Sequence, residues 1–187
     1  MLTIKQYIAP CGTLVLGDYG GYICMCDWAG ERRHEAVMRR LRKILKAGVT
    51  TGSTPLIEMA ISRLDEYFSR ERTQFDLPLL FVGTEFQKTV WKSLLGISYG
   101  ELRSYGALAS EIGRPESVRA VANAVGANPM SILVPCHRVV GADGSLTGYA
   151  GGLPAKRLLL SLETKLKGNF EEGNDSVSVT RRALTVR

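Results

Sequence analysis

A thiol and an imidazole stand side by side at Cys136 and His137, at the end of the apolar run Ile132-Leu133-Val134-Pro135. The run reads as a buried strand that breaks at Pro135. The rule that neighbouring strand residues face opposite ways therefore need not separate the two side chains. A cysteine at a strand end is by itself usually a small buried hydrophobe. Its successor changes that reading, because His137 is one of only two histidines in the chain. An unperturbed thiol, with a pKa of about 8.5, is only a few per cent thiolate at neutral pH, so a nucleophilic sulfur needs a base close by.

The other cysteines, Cys11, Cys24 and Cys26, show no disulfide-framework spacing, which points to a reducing compartment where a thiol survives. Cys24 and Cys26 are expected on one face of a strand, and with Cys11 and His34 they would supply four zinc ligands. No paired CxxC hairpin supports such a site, and buried cysteine is common in strands, so no metal is assigned.

A chain of 187 residues with 45% hydrophobic content has room for a genuine core in one large domain or two small ones. No stretch approaches the roughly 20 apolar residues of a membrane span, and residues 1–12 carry no basic region followed by an apolar run. Neither membrane nor export is implied; a cytoplasmic location, or a nuclear one in a eukaryote, is expected. The net charge of +6 suits a polyanionic partner but does not demand one. Residues 31–46 hold seven Arg or Lys against two Glu, whereas residues 80–165 hold nine against six. The densest positive charge thus lies outside the candidate chemistry and reads as a solvated helix face. No extended apolar patch suggests subunit pairing, so a monomer is expected.

The elements that must position Cys136 follow from pattern. Residues 4–8, 13–16 and 21–27 read as strands of a small sheet, the first two flanking the turn Pro10-Cys11-Gly12. Residues 31–47 read as a helix with Val37, Leu41, Ile44 and Leu45 on one face and Gly48 as its stop. Thr54-Pro55 opens another helix, carrying Ile57, Ile61, Leu64 and Phe68. Pattern lapses over 69–78, which sets the expected boundary between an α/β N-terminal domain (1–78) and a mainly α C-terminal domain (79–167). A capping box, Thr84 with Gln87, starts a helix whose apolar stripe is Phe86, Val90, Trp91, Leu94 and Leu95. Helices over 104–113 and about 116–125, joined by a tight Gly-containing turn, read as a helix-turn-helix. In the second of these, Ala120, Ala122, Ala124 and Gly126 leave little bulk, and Arg119 is the one long cation. Packing against another helix explains such a face as readily as a partner does. Five glycines and the turn signal Asp143-Gly144 mark a loop over 141–152. Pro154 sits early in a last helix with Leu158, Leu159, Leu162 and Leu166 inward. Residues 168–187 lack apolar periodicity and read as a disordered tail.

Over residues 83–163 the chain closely resembles the O6-alkylguanine-DNA alkyltransferases, also called methylated-DNA–protein-cysteine methyltransferases. The Pro135-Cys136-His137-Arg138 signature, Arg119-Ala120-Val121 and Asn128-Pro129 at matching spacings, and Tyr149-Ala150-Gly151-Gly152 carry the resemblance. Upstream of Thr84 it is only general, and there it implies a small ribonuclease-H-like domain. The resemblance implies Cys136 as alkyl acceptor, His137 as its base through a water, and Glu163 as the carboxylate orienting the imidazole. It implies that Tyr105 donates its hydroxyl proton toward the guanine as charge develops there. Backbone groups of Cys136, Val139 and Ala150 would hold the base edge, with Tyr149 beside them. Asn128 would brace the turn before the cysteine, and Lys156 would support the pocket unless it is merely solvated. The partner implied is double-stranded DNA containing O6-alkylguanine, entered from the minor groove across Ala120 and Ala122, with Asn123 at the rim and Arg119 filling the space of a flipped nucleotide. No cofactor is implied. Glu85 stands where many relatives have Pro, and both residues suit a first helical turn. Two other readings are a protein that binds alkylated bases without chemistry and a helix-turn-helix transcription regulator. Cys136, His137 and Glu163 together disfavour the first, and the scarcity of base-reading side chains disfavours the second. A thiol hydrolase would have to turn over.

Overall fold

The computed structural model describes residues 1–30 and 32–164. Strands β1 (Leu2–Ala9), β2 (Gly12–Tyr19) and β3 (Tyr22–Trp28) form an antiparallel meander, and a short β4 (Val49–Thr51) adds to β1 in parallel, giving the order β3-β2-β1-β4. The turn from β2 to β3 needs two residues of positive φ, and Gly20 and Gly21 supply them at 61° and 80°. β4 has no pattern of its own in three residues; its pairing with β1 makes it a strand.

Helix α1 (Arg32–Leu45) buries Val37, Met38 and Leu41 against one sheet face, where Leu2, Val15, Cys24 and Met25 meet them. It ends at Lys46, whose φ of 49° stops it two residues before Gly48. Helix α2 (Pro55–Phe68) covers the opposite face with Ile57, Ala60, Leu64 and Tyr67, and the Thr54 hydroxyl caps it by accepting from the Ile57 amide at 3.2 Å. Cys24 and Cys26 do not share a face. The β2–β3 register shifts at Gly17/Asp18, and this bulge leaves Cys24 with Met25 on the α1 side while Cys26 faces the larger core. The four residues Cys11, Cys24, Cys26 and His34, to which no metal is assigned, are therefore split. Among the described residues no group of three or more His, Cys, Asp or Glu is arranged to hold a metal.

Helix α3 (Glu85–Leu94) starts with the expected capping box, Gln87 N to Thr84 Oγ1 at 3.2 Å and Thr84 N to Gln87 Oε1 at 3.0 Å. Leu95, expected in its apolar stripe, lies one residue past the helix and is exposed. Helix α4 (Tyr105–Glu111), a turn holding Gly113 at φ 70°, and a single 3-10 turn (Pro115–Ser117) lead into α5 (Val118–Gly126). α5 sends Val121, Ala124 and Val125 into the core and exposes Arg119, Ala120 and Asn123, with Ala122 half-buried. Ala124 thus serves packing, not an open face. The buried Trp91 donates its indole N–H to the Ala124 carbonyl at 2.8 Å, and Arg40 of α1 donates to the Ala127 carbonyl at 3.2 Å, so two side chains terminate α5 from outside.

The expected strand at Ile132-Leu133-Val134 is a buried turn. Ile132 has φ 70°, and the amides of Leu133 and Val134 bond back to the Ser131 and Met130 carbonyls at 2.9 Å each. Apolar residues were required there by burial, and a three-residue run cannot distinguish a strand from a buried turn. The extended pairing lies just upstream, where Cys26 N meets the Pro129 carbonyl at 2.9 Å and Ser131 N meets the Cys26 carbonyl at 2.7 Å. A 3-10 turn (Cys136–Arg138) follows, then β6 (Val139–Val140), parallel to β5 (Arg103–Ser104). Helix α6 (Gly152–Glu163) buries Ala155, Lys156, Leu159, Leu160 and Glu163, with Leu158 and Leu162 half-buried. Leu166 and the expected tail lie outside the described residues. One core cluster runs from Tyr7 and Leu14 through Tyr67 and Trp91 to Cys136 and Leu159, drawing on both halves of the chain. Among the described residues no helix is long and apolar enough to cross a membrane.

Candidate active site

The 3-10 turn gathers Cys136, His137 and Arg138 on consecutive residues, all of them buried, with Cys136 5% exposed. Asn128 holds the approach to it. Its carboxamide nitrogen donates to the Val134 carbonyl at 3.0 Å, the Met130 carbonyl at 3.3 Å and the Cys136 sulfur at 3.1 Å, while its oxygen accepts from the Met130 amide at 3.0 Å. One wholly buried side chain thus closes the turn and gives the sulfur a hydrogen-bond donor.

Glu163, in the last turn of α6, gathers five donors. His137 Nε2 lies 2.8 Å from Oε1; Arg138 donates from Nε to Oε2 at 2.8 Å and from Nη2 to Oε1 at 2.9 Å. Tyr67 donates to Oε1 at 2.7 Å and the Gly100 amide to Oε2 at 3.3 Å. Burial pushes the carboxyl up, but the hydrogen bonds and charges of His137 and Arg138 outweigh it and hold Glu163 well below the usual carboxylate range. Burial holds the His137 imidazole below its ordinary value against the pull of Glu163, with Arg138 and Lys156 adding to the fall. The arrangement is an ionised Glu163 neutralised by Arg138, beside a neutral imidazole. With Nε2 donating to the carboxylate, Nδ1 is the acceptor nitrogen, and among the described residues it has no hydrogen-bond partner.

Lys156 is wholly buried, not solvated, and donates to the Val139 carbonyl at 2.6 Å and the Thr147 carbonyl at 3.1 Å. Burial lowers its ammonium to about 8. Tyr105, the first residue of α4, is half-buried, accepts from the Thr147 hydroxyl at 3.3 Å, and is held by burial above its ordinary value. The Tyr149 ring meets Trp28 edge-on at 5.8 Å and His137 at 6.4 Å. Tyr105, Tyr149 and Lys156 all lie near enough to Cys136 to feel its charge, and Ala150 packs half-buried against the same core. Arg119 and Ala122 join Tyr105, Glu116 and Val118 around an open cleft of about 600 Å³; Ala120 and Asn123 are exposed on α5 outside that lining.

Arg138, Tyr67, Gly100 and Trp28 had no role in the sequence reading. Arg138 stood inside the signature and its adjacency to His137 was a usable signal. Tyr67 carried none, since it lies 96 residues from Glu163 in the chain.

Residues 85–165 match the family model described as "6-O-methylguanine DNA methyltransferase, DNA binding domain". The methylated-DNA–protein-cysteine methyltransferase of Mycobacterium leprae is 55% identical over 163 residues, covering 87% of this chain and 93% of that protein. The chain belongs to the methylated-DNA–protein-cysteine methyltransferase family. The protein of the same name from Mycobacterium tuberculosis is 57% identical over 104 residues, 56% of this chain and 63% of that one, so in that pair the chain spans less than two thirds of the relative. A crystal structure of Mycobacterium tuberculosis OGT in complex with DNA superposes with a TM-score of 0.74 at 41% identity, covering 86% of this chain and 92% of that one.

In this methyltransferase-family chain the loop carrying Tyr149 and Ala150 is pinned to the N-terminal sheet at a single glycine. A Cβ on Gly151 would lie 2.3 Å from the Trp28 indole, whose other edge is 3.2 Å from a Cβ placed on Gly12. Gly151→Ala is expected to cost about 2 kcal/mol, because the added Cβ would overlap a buried aromatic ring rather than the flexible end of a side chain. The calorimetric midpoint should fall by several degrees, whereas Gly148→Ala, which meets nothing within 4 Å, should leave it unchanged.

Proposed function

We propose that this protein repairs DNA by direct, irreversible, single-use transfer of an alkyl group from O6-alkylguanine to Cys136. The observation that carries the proposal is the Cys136-His137-Glu163 arrangement, in which Nε2 of the imidazole faces an anionic carboxylate and Nδ1 is left to accept. His137 takes the thiol proton through a water, the sulfur attacks the alkyl carbon, and the C–O6 bond breaks with its electron pair going to the guanine. Tyr105 donates toward the ring as that charge develops, and the imidazolium, stabilised by Glu163, returns its proton to solvent. The product thioether has no low-energy route back to thiol, so each molecule acts once. The chemistry requires no cofactor.

The partner is double-stranded DNA. A base in a duplex cannot reach a sulfur that is 5% exposed, so the nucleotide flips out at a cost of a few kcal/mol. α4 and α5 act as a helix-turn-helix in the minor groove, where the small Ala120 and Ala122 admit the backbone, Asn123 rides the rim and Arg119 fills the vacated stack. The main-chain groups of Cys136, Val139 and Ala150 hold the base edge, with Tyr149 walling the pocket and Lys156 fixing the Val139 carbonyl. Residues 1–78 form a ribonuclease-H-like domain and 79–167 the catalytic and DNA-binding one.

Intact-mass spectrometry after mixing with a duplex containing O6-methylguanine tests this. One methyl group gained per chain, mapped by peptide to Cys136, is expected. Unchanged mass with tight binding would instead make the protein a non-catalytic binder of alkylated bases.

A further inference from the structure

Among the described residues, Tyr67 is the hydrogen-bond donor to Glu163 that comes from the N-terminal half of the chain. Its side chain is wholly buried in α2, wedged among Phe68, Phe75 and Tyr99 at ring separations of 5.3, 5.4 and 6.1 Å. Burial, with the Glu163 charge, keeps the phenol protonated far above its ordinary range, so it is a permanent donor. The oxygen it donates to, Oε1, is also the one that faces His137 Nε2 at 2.8 Å and accepts from Arg138 Nη2 at 2.9 Å. A carboxylate oxygen has two lone pairs, so three donors on one oxygen compete.

We infer that Tyr67 is a positioning residue of the alkyl transfer: by sharing Oε1 with His137 it limits how strongly Glu163 pulls on the imidazole, and so sets the pH at which that imidazole can act as a base. This rests on the function proposed above. The other groups facing the pair are Arg138 on Glu163, Lys156 from α6, Tyr149 against the ring, and Cys136, with Tyr99 and Arg70 one layer out. All of these groups are retained when the Tyr67 hydroxyl is removed. The two-point bond from Arg138 keeps the carboxylate in place without it.

The sign follows from electrostatics. A carboxylate that loses a donor presents more charge to its remaining partners, so the imidazolium is stabilised and the neutral, basic form retreats to higher pH. In Tyr67→Phe the acid limb of the rate of Cys136 alkylation should move up by about one pH unit. The rate below the limb then falls about tenfold while the alkaline plateau stays within about threefold. Replacing Tyr67 with 3-fluorotyrosine, a more acidic and stronger donor, preserves the packing and should move the limb down. Tyr99→Phe, which removes a bond to the Leu162 carbonyl and none to the carboxylate, should leave it in place.

The measurement is single-turnover methyl transfer from an O6-methylguanine duplex against pH, with iodoacetamide labelling of the Cys136 peptide run in parallel. Opposite displacements by phenylalanine and fluorotyrosine support the inference. A limb that stays put in both, whether or not the plateau drops, makes Tyr67 a packing residue and overturns it. If the wild type transfers no methyl group, the proposed function falls instead, and the iodoacetamide profile still decides the role of Tyr67.

Discussion

Glu163→Gln should slow alkyl transfer by about 10²- to 10⁴-fold and destabilise the protein by about 3–5 kcal/mol, the largest loss expected from a single substitution outside Cys136 itself. The two losses have different causes. A carboxamide presents one oxygen instead of two to the five donors now gathered on Glu163, and its own N–H group points at one of them. His137 loses the anion that selects its tautomer and stabilises its protonated form, which accounts for the rate. Arg138 keeps the Ile97 carbonyl, at 2.5 Å, and at most the single carboxamide oxygen, and is left as a buried cation without a counter-charge, which accounts for the stability. The thermal midpoint should fall by about 10 °C. Rapid-quench transfer assays and calorimetry on the same samples separate the effects. A variant with wild-type stability would mean that Arg138 finds another partner, and one with wild-type rate would remove Glu163 from the chemistry.

Acid should unfold the protein in a pattern set by the same cluster. His137 and Glu163 both titrate lower in the folded chain than in the unfolded one, where the reference values are about 6.5 and 4.3. Between its two values each group is protonated in the unfolded state and unprotonated in the folded state, so unfolding takes up a proton and stability falls as pH falls. The stability is complete above about pH 6.5, declines first through His137, and declines again below about pH 4.3 through Glu163. Each group's slope approaches about 1.4 kcal/mol per pH unit. Urea denaturation from pH 8 to pH 3 should show the two stages, and His137→Asn should remove the first. A flat profile down to pH 5 in the wild type would mean that His137 titrates alike in the folded and unfolded chain, so that burial does not hold the imidazole neutral.

Much of the fold was legible because local patterns matched it. The capping box at Thr84 and Gln87, Thr54-Pro55 at the start of α2, and the Asp143-Gly144 turn are all short-range devices whose partners lie within three or four residues. They form wherever the chain places them. Elements failed where partners were distant or the signal too short. The run at 132–134 is apolar because it is buried; the chain pairs with Cys26 just upstream, and the amides of Leu133 and Val134 then fold back on the Ser131 and Met130 carbonyls to make it a turn. Cys24 and Cys26 parted because of a register shift opposite Gly17, on a different strand. For Lys156 the sequence left pocket support and a solvated first-turn position both open, and the carbonyls of Val139 and Thr147, distant in the chain, draw it inside.

For the candidate site itself, the Pro135-Cys136-His137-Arg138 signature and the family resemblance it carries were enough to propose Cys136, His137 and Glu163 as nucleophile, base and carboxylate. What the sequence could not supply is the electrostatic setting of that chemistry. The charge state of Glu163 depends on Arg138 and on a phenol from α2, and the acceptor nitrogen of His137 is chosen by which of its nitrogens meets the carboxylate. Those are properties of groups brought together across the core, where low dielectric makes each hydrogen bond and each charge count, and only the tertiary structure decides which groups meet.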